Sequence, residues 1–123
     1  MSHKQTVQDF LHLAFNEKQP EAAVEKYLGE PYTQHNPSVP DGRAGAVVAL
    51  TGFVRQFPEL SLEIRRVVAE GDLVVTHSLM KLSPTDRGSA VADVFRLDGD
   101  RIVEHWDVLQ QVPESSANGN AMV

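Results

Sequence analysis

The stretch VADVFRLDGDRIVEHWDVLQQ, residues 91–111, decides the fold. Apolar and polar residues alternate on both sides of a central Asp-Gly pair, which is the pattern of two strands joined by a tight hairpin turn. One carboxylate, Asp93, interrupts an otherwise apolar strand. Burying an acid costs free energy unless the acid is paired with another group or used in chemistry. This hairpin is therefore the first place in the chain to look for a functional site.

Two further strands precede this hairpin. The segments 62–68 and 73–82 also alternate with a period of two, and the Glu-Gly-Asp sequence at 70–72 marks a turn between them. Together with the segments 89–97 and 101–111, they predict an antiparallel meander of four strands.

The N-terminal half has the period of helices instead. Apolar residues recur at intervals of three and four positions in the segments 7–15, 20–28 and 41–57, and Pro58 ends the third segment. The intervening segment 30–40 contains three prolines and is predicted to be irregular. Helices followed by a meander predict an α+β fold, in which three N-terminal helices pack on one face of an antiparallel sheet of four or more strands.

Length and composition fit one domain. The 123 residues are 41% hydrophobic and 23% charged, which is typical of a folded chain rather than a disordered one. We assign residues 1–112 to a single domain and residues 113–123, which are mostly small and polar, to a C-terminal tail. The absence of cysteine excludes disulfides and zinc–thiolate sites and fits a reducing compartment.

The net charge of −6 argues against two classes of partner. Nucleic acids and anionic membranes are bound through basic surfaces, so neither is expected as a partner. The first twenty residues contain no continuous apolar stretch of the kind found in signal peptides or membrane spans. The expected location is the cytoplasm.

The register of the hairpin predicts which residues face Asp93. A two-residue type I′ turn at 98–99 places Asp93 opposite Glu104 and pairs large apolar residues with one another. A register shifted by one position is the alternative, and it places Asp93 opposite Val103 or His105.

The preceding hairpin brings a histidine to the same acid. If the loop between the two strands closes symmetrically, His77 lies directly across from Asp93, with Cβ atoms about 4.5–5.5 Å apart. A cluster of His77, Asp93 and Glu104 then converges on the sheet face that meets the helices. The apolar wall beside this cluster contains Phe95 and Trp106.

Two interpretations of this cluster are open. A carboxylate in an apolar pocket has a raised pKa, so Asp93 is a candidate general base near neutral pH, with His77 as the group that orients it or acts as the partner acid. The alternative is a buried, hydrogen-bonded ion pair that only fixes the strand register. The residues alone favour neither interpretation.

Other candidate residues are open to a structural explanation as well. His35 and Asn36 offer polar groups to a ligand, or they simply end the proline-rich segment, and Tyr32 either lines a pocket or anchors that segment. His105 and Asp107 are predicted on the face opposite Trp106, where a salt bridge or a subunit contact is the favoured interpretation. The histidines and acids show no ligand spacing such as HExxH, so no metal is predicted.

Four short segments together resemble a known family. They match the SnoaL-like polyketide cyclase group, which belongs to the wider superfamily that includes nuclear transport factor 2 and ketosteroid isomerase. The similarity runs over nearly the whole chain, and its motifs are YTQHNP at 32–37, DG at 41–42, DVFR at 93–96 and EHWDV at 104–108.

The resemblance implies a cone-shaped α+β barrel, with helices closing over a curved antiparallel sheet around a deep apolar pocket. It also implies a homodimer formed through the outer face of the sheet. In this group a pocket aspartate removes a proton α to a carbonyl and starts an intramolecular aldol closure without cofactor or metal. Asp93 matches that aspartate and His77 its histidine neighbour, so these two are the predicted catalytic residues. The predicted substrate-binding residues are His35, Asn36, Tyr32, Phe53, Phe95, Glu104 and Trp106.

The first functional hypothesis is a cofactor-independent acid–base enzyme acting on a hydrophobic, polyketide-like carbonyl compound, with aldol cyclisation or isomerisation as the outcome. One alternative is a non-catalytic small-molecule-binding protein that uses the same pocket. Another is a hydrolase in which the carboxylate activates water to open an epoxide or an ester. A protein-interaction module is ranked last, because no exposed apolar patch is predicted beyond the dimer surface. Assigning a substrate from the fold would be analogy, since one fold hosts many activities.

Overall fold

The computed structural model describes residues 2–123 of the chain. It contains three α-helices, one π-helical turn and five strands. The helical elements are α1 (His3–Leu11), the π-helical turn (His12–Asn16), α2 (Pro20–Tyr27) and α3 (Gly42–Gln56). The strands are β1 (Leu28–Gln34), β2 (Ser61–Glu70), β3 (Leu73–Lys81), β4 (Ser89–Asp98) and β5 (Arg101–Gln111).

The five strands form one sheet in the order β1-β5-β4-β3-β2. Strands β2 to β5 are the predicted antiparallel meander, and β1 adds a fifth strand that runs parallel to β5. The predicted α+β architecture, with three helices over a sheet of four or more strands, is thereby confirmed. The prediction of irregular structure was wrong for residues 30–34. The strand tolerates Pro31 because β1 is at the edge of the sheet, where fewer backbone donors are needed.

The helices begin and pack where their sequence patterns predict. The hydroxyl of Ser2 caps α1 by accepting a hydrogen bond from the backbone N–H of Gln5 (3.1 Å). Beyond α1, the amide side chain of Asn16 bonds both the N–H and the carbonyl of Leu62 (2.9 and 3.0 Å). The Asn16 amide thus makes the two backbone hydrogen bonds that a neighbouring strand would make, and it connects the π-helical turn to β2.

The core is formed where this helical layer meets the inner face of the sheet. The ring of Phe10 on α1 meets the rings of Tyr27 and Phe95 edge-on, with centroids 6.5 and 6.3 Å apart. Val74 and Ile102 are fully buried beneath the helices. None of the helices in residues 2–123 has the length and hydrophobicity that a membrane span requires.

The predicted register between β3 and β4 was wrong by one residue. His77 lies across from Ala92, and it is Thr76 that lies across from Asp93. The connection between the strands is not symmetrical, because the carboxylate of Asp86 accepts a hydrogen bond from the N–H of Leu82 (2.9 Å) and shapes one side of the loop. Since neighbouring strand residues point to opposite faces, this shift puts His77 on the outer face of the sheet.

The predicted register between β4 and β5 was wrong as well. Asp98 pairs with Arg101, so the turn residues are 99–100 rather than 98–99. This change of turn moves each partner on β5 by two positions, and a β-bulge in β5, opposite the step from Arg96 to Leu97, moves it by a third. As a result, Asp93 lies opposite Asp107 rather than Glu104.

Candidate active site

A cavity of about 460 Å³ lies between the helices and the inner face of the sheet. Its wall is mostly apolar, with aromatic rings from the helical layer and aliphatic side chains from the sheet. Polar side chains gather on one part of this wall, where β1, β4 and β5 meet. The polar residues there are Tyr32, Gln34, Asn36, Asp93, His105 and Asp107.

The alternation of buried and partly exposed side chains along β4 explains why Asp93 lies in the cavity wall. Val91, Asp93 and Phe95 are all buried, while the residues between them are partly exposed. The three buried residues point to the inner face, so the strand carries Asp93 into the cavity wall between two apolar neighbours. On β5 the bulge brings His105 and Asp107 to the same face.

His105 and Asp93 form a close pair. The Nε2 atom of His105 lies 2.7 Å from Oδ1 of Asp93, and it is 3.9 Å from Oδ2 of Asp107. The side chains of Asp93, His105 and Asp107 are only 9%, 12% and 14% exposed, respectively. The cavity wall therefore holds two carboxylates near the same nitrogen of one imidazole.

Burial dominates the acidity of Asp93. Removal of its carboxyl group from water raises its pKa above the ordinary value, and the negative charge of Asp107 raises it further. The hydrogen bond and the charge of His105 act in the opposite direction, but the burial effect is larger. A carboxyl group of this kind holds a proton more readily than an exposed aspartate does.

The β1 edge and the residues after it hold the other two members of the cluster in place. The side-chain oxygen of Gln34 lies 2.8 Å from Nδ1 of His105. The amide of Asn36 donates to both carboxylate oxygens of Asp107 (3.0 and 2.9 Å). Each acid–base group on β4 and β5 therefore has a partner that fixes its orientation.

Tyr32 remains a hydroxyl donor in this environment. Burial raises the pKa of Tyr32 above the ordinary value, and the negative charges of Asp93, Asp107 and Asp41 add to the effect. A hydrogen bond from the side chain of Gln34 opposes this shift only weakly. The phenol accordingly keeps its proton at neutral pH.

The structure brings some of the predicted site residues together and separates others. Asp93, Asn36, Tyr32, Phe53 and Phe95 line the cavity. His77, His35, Glu104 and Trp106 are not among the residues that line it.

His77 does not meet Asp93. Its Nδ1 atom instead contacts the guanidinium of Arg66, the residue across from it on β2. The predicted partnership of His77 with Asp93 was therefore wrong, and its cause is the shift of one residue between β3 and β4.

The remaining three residues form their own cluster outside the cavity. The ring of His35 stacks on Trp106 with centroids 4.7 Å apart and planes 2° from parallel. Glu104 binds both His35 and Arg96 at 2.7 Å, and these hydrogen bonds lower its pKa. The prediction that Glu104 and Trp106 face the pocket was wrong. Side chains alternate along β5, so these two point to the face opposite that of His105.

The sequence pattern did not identify His105, Asp107 and Gln34, which the structure places in the cavity wall. It did predict that His105 and Asp107 share the face opposite Trp106, but it assigned the cavity to the wrong face. The alternative register, with Asp93 near His105, contained the signal that could have identified the pair. Nothing in the local pattern around Gln34 pointed to the site.

The same cluster contains donor atoms of the kind that bind metal ions. One ligand atom from each of Asp93, His105 and Asp107 lies within 4.8 Å of the others. A histidine with two carboxylates would suit a divalent cation. The 2.7 Å contact between His105 and Asp93 is also the length of a charge-assisted hydrogen bond, which needs no metal.

The fold and the cavity define a helix-covered, cone-shaped α+β protein with an acid–base cluster inside. The chain belongs to the family of SnoaL-like domains, whose sequence pattern matches residues 7–105. No protein of curated function matches the chain.

Several solved structures share this fold. A candidate polyketide cyclase from Acidithiobacillus ferrooxidans is 25% identical, with a TM-score of 0.74 over 89% of this chain and 91% of that one. IdmH, a candidate polyketide cyclase from Streptomyces antibioticus, is 22% identical, with a TM-score of 0.73 over 89% and 92%. A candidate isomerase of the SnoaL-like family from Agrobacterium tumefaciens is 18% identical, with a TM-score of 0.73 over 89% and 99%.

Proposed function

We propose that this protein is a cofactor-independent acid–base enzyme that removes a proton α to a carbonyl group of a hydrophobic, polyketide-like compound. The single observation that carries the proposal is the 2.7 Å contact between His105 and Asp93 in the wall of an apolar cavity. Membership of the SnoaL-like family and the similarity to candidate polyketide cyclases support the same class of reaction.

In this proposal Asp93 is the base and His105 is its partner, in the place that the sequence had assigned to His77. The pair accepts the α-proton as the C–H bond breaks, and the bonding electrons move into an enolate. Attack of the enolate carbon on a second carbonyl closes a ring, and the pair returns its proton to the new alkoxide. Return of the proton to another carbon gives an isomer instead. No electrons enter or leave the substrate in either outcome.

Tyr32 is the proposed donor to the enolate oxygen. Its hydroxyl accepts a hydrogen bond from Gln34 (3.3 Å) and keeps its own hydrogen, and it faces the same cavity as Asp93. A donor aimed at developing negative charge in a dry site is an effective form of catalysis. Asn36 is already engaged with Asp107, and His35 lies outside the cavity, so neither is as well placed for this role.

The cavity lining supports a hydrophobic substrate. The rings of Phe10, Phe15 and Phe53 and the side chains of Leu50 and Leu109 face the enclosed space. A cavity of about 460 Å³ is within the range of small-molecule sites, which extends from about 300 to 1,000 Å³.

We further propose a homodimer formed through the outer face of the sheet. Apolar residues lie side by side across four strands there, since Val68 pairs with Val75, Val75 with Val94, and Val94 with Trp106. Val68 is 62% exposed, and Val108 on the same face is 74% exposed. A contiguous apolar surface of this kind is typical of an interface between subunits.

Exchange of α-protons for deuterium tests the proposed reaction before the natural substrate is known. A panel of linear and cyclic hydrophobic ketones, including 2-tetralone, is incubated with the protein in D₂O and followed by proton NMR, with acetone as a small polar control. We expect faster exchange for hydrophobic members that bind. Binding without faster exchange throughout the panel would contradict the proposal and favour a non-catalytic binding protein.

A further inference from the structure

Gln34 connects three polar groups of the cavity wall. Its side-chain oxygen accepts a hydrogen bond from the backbone N–H of Asn36 (3.0 Å) and lies 2.8 Å from Nδ1 of His105. Its side-chain nitrogen donates to the hydroxyl of Tyr32 (3.3 Å). A backbone N–H can only donate, so the atom that faces Asn36 must be the amide oxygen. The orientation of the Gln34 amide is therefore fixed.

This orientation determines where His105 carries its hydrogen. An amide oxygen can only accept, so Nδ1 of His105 must be the donor in the contact with Gln34. A neutral His105 ring then has its lone pair on Nε2, which lies 2.7 Å from Oδ1 of Asp93. If Asp93 is ionised at the same time, two lone pairs face each other at hydrogen-bond distance. The pair becomes stable when one proton enters between these two atoms.

We propose that Gln34 is a positioning residue that sets the basicity of the Asp93–His105 pair by holding His105 in the Nδ1–H form. Without the Gln34 oxygen, a neutral ring can move its hydrogen to Nε2 and donate it to the carboxylate of Asp93. The repulsion is then relieved without a new proton. With Gln34 in place, only an external proton relieves it, and the substrate's α-carbon supplies that proton. The role in turnover rests on the proposed function, whereas the tautomer itself does not.

Few other charges act on this pair. Asp107 lies 3.9 Å from Nε2 of His105 on β5, and Tyr32 approaches from β1. The residue across from Asp93 on β3 is the uncharged Thr76. The cavity-lining side chains of α1, the π-helical turn and α3 are apolar. Among residues 2–123, Gln34 is accordingly the group that bonds the far side of the His105 ring.

Nitrogen-15 NMR of the histidine rings tests the inference without any substrate. The whole chain is labelled at its five histidines, and the His105 signals are assigned by their loss in a His105→Asn variant. We expect wild-type His105 to keep its hydrogen on Nδ1 after the pair loses its shared proton. Gln34→Leu should move the hydrogen to Nε2, and Gln34→Glu, which retains an acceptor for Nδ1, should restore the wild-type pattern.

A neutral wild-type ring with its hydrogen on Nε2 would overturn the inference, and this result needs no variant to fold. An unchanged tautomer in folded Gln34→Leu would overturn it as well. For a ketone that exchanges, the midpoint of the rise in rate with pH should fall by at least one pH unit in Gln34→Leu. In Gln34→Glu it should return to the wild-type value or rise above it, because a carboxylate beside Nδ1 stabilises the protonated pair. If NMR shows the predicted Nδ1–H tautomer but no ketone exchanges faster with the protein, the inference about Gln34 stands and the proposed function is contradicted.

Discussion

The imidazole of His105 and the carboxyl group of Asp93 share a 2.7 Å contact inside a largely apolar cavity, although they come from different strands. Their meeting depends on the β-bulge in β5, where Val103 is the extra residue, because it turns His105 and Asp107 toward the helices. In the proposed function, Asp93 with its raised pKa is the base and His105 is the partner that stabilises the accepted proton. The proposed proton transfer to and from a hydrophobic substrate rests on this arrangement.

Asp93→Asn should abolish exchange while leaving the fold intact. The amide retains the size of the side chain and a hydrogen-bonding oxygen, but it cannot accept the α-proton. We expect the rate of α-proton exchange to fall by about 10²- to 10⁴-fold, which is the usual contribution of a general base. The measurement is deuterium incorporation by NMR, with circular dichroism as the check on folding. Wild-type exchange by a folded Asp93→Asn protein would show that another group is the base.

A pair of histidine variants separates the observed partner from the one that the sequence predicted. His105→Asn removes the contact with Asp93, so we expect exchange to slow by about 10²-fold or more. His77→Asn is the matched control, because His77 lies on the outer face and contacts Arg66. Equal losses in both variants would contradict the site described above.

The raised pKa of Asp93 also affects stability. The folded state favours the protonated acid, so its stabilising contribution is complete below the ordinary pKa of 3.8 and is lost as the pH rises through the higher pKa of the folded state. Between pH 4 and pH 8, the free energy of unfolding of the wild type should therefore fall relative to that of Asp93→Asn. Urea denaturation at the two pH values measures the difference, and a change of the opposite sign would mean that Asp93 is stabilised as a carboxylate.

Charges on the outer sheet face should separate the proposed dimer. Val75→Lys and Val108→Lys each place an ammonium group in the apolar row or beside it, and we expect both variants to be monomeric by light scattering at concentrations where the wild type is dimeric. Val48→Lys is the control, since Val48 is 69% exposed on α3 rather than on the sheet. A monomeric wild type, or a dimer that survives both sheet substitutions, would contradict the proposed interface.

Removal of metal ions should leave exchange unchanged. The cluster of Asp93, His105 and Asp107 has donors suited to a cation, but the proposed proton transfer requires none. Activity is compared before and after dialysis against EDTA and after addition of Zn²⁺ or Mn²⁺. Loss on dialysis with recovery on metal addition would replace the proposed mechanism with a metal-dependent one.

The sequence pattern predicted the layer structure well because it depends on long apolar repeats. The helical spacing of α1 and the alternation of β2 to β5 are visible in the chain, and their bounds are close to those observed. Strand β1 was not predicted for two reasons. It pairs with β5, which lies far along the chain, and Pro31 makes the segment appear irregular.

The contents of the site were harder to predict, since they depend on register. A slip of one residue moves a side chain to the other face of a sheet, and the loop around Asp86 and the bulge at Arg96 each introduce one. Asp93 was found because its own strand identifies it as a buried acid. His77, Glu104 and Trp106 were assigned from its supposed neighbours, and each was therefore placed on the wrong face.

Titration of the Asp93 carboxyl carbon by carbon-13 NMR tests the central claim most directly. The signal is assigned by its absence in Asp93→Asn, and its shift is followed as the pH is raised. A midpoint above 3.8 is the result expected for a buried proton acceptor. A midpoint at or below that value would describe a carboxylate held in permanent ionic contact, and Asp93 would then be a structural residue rather than a base.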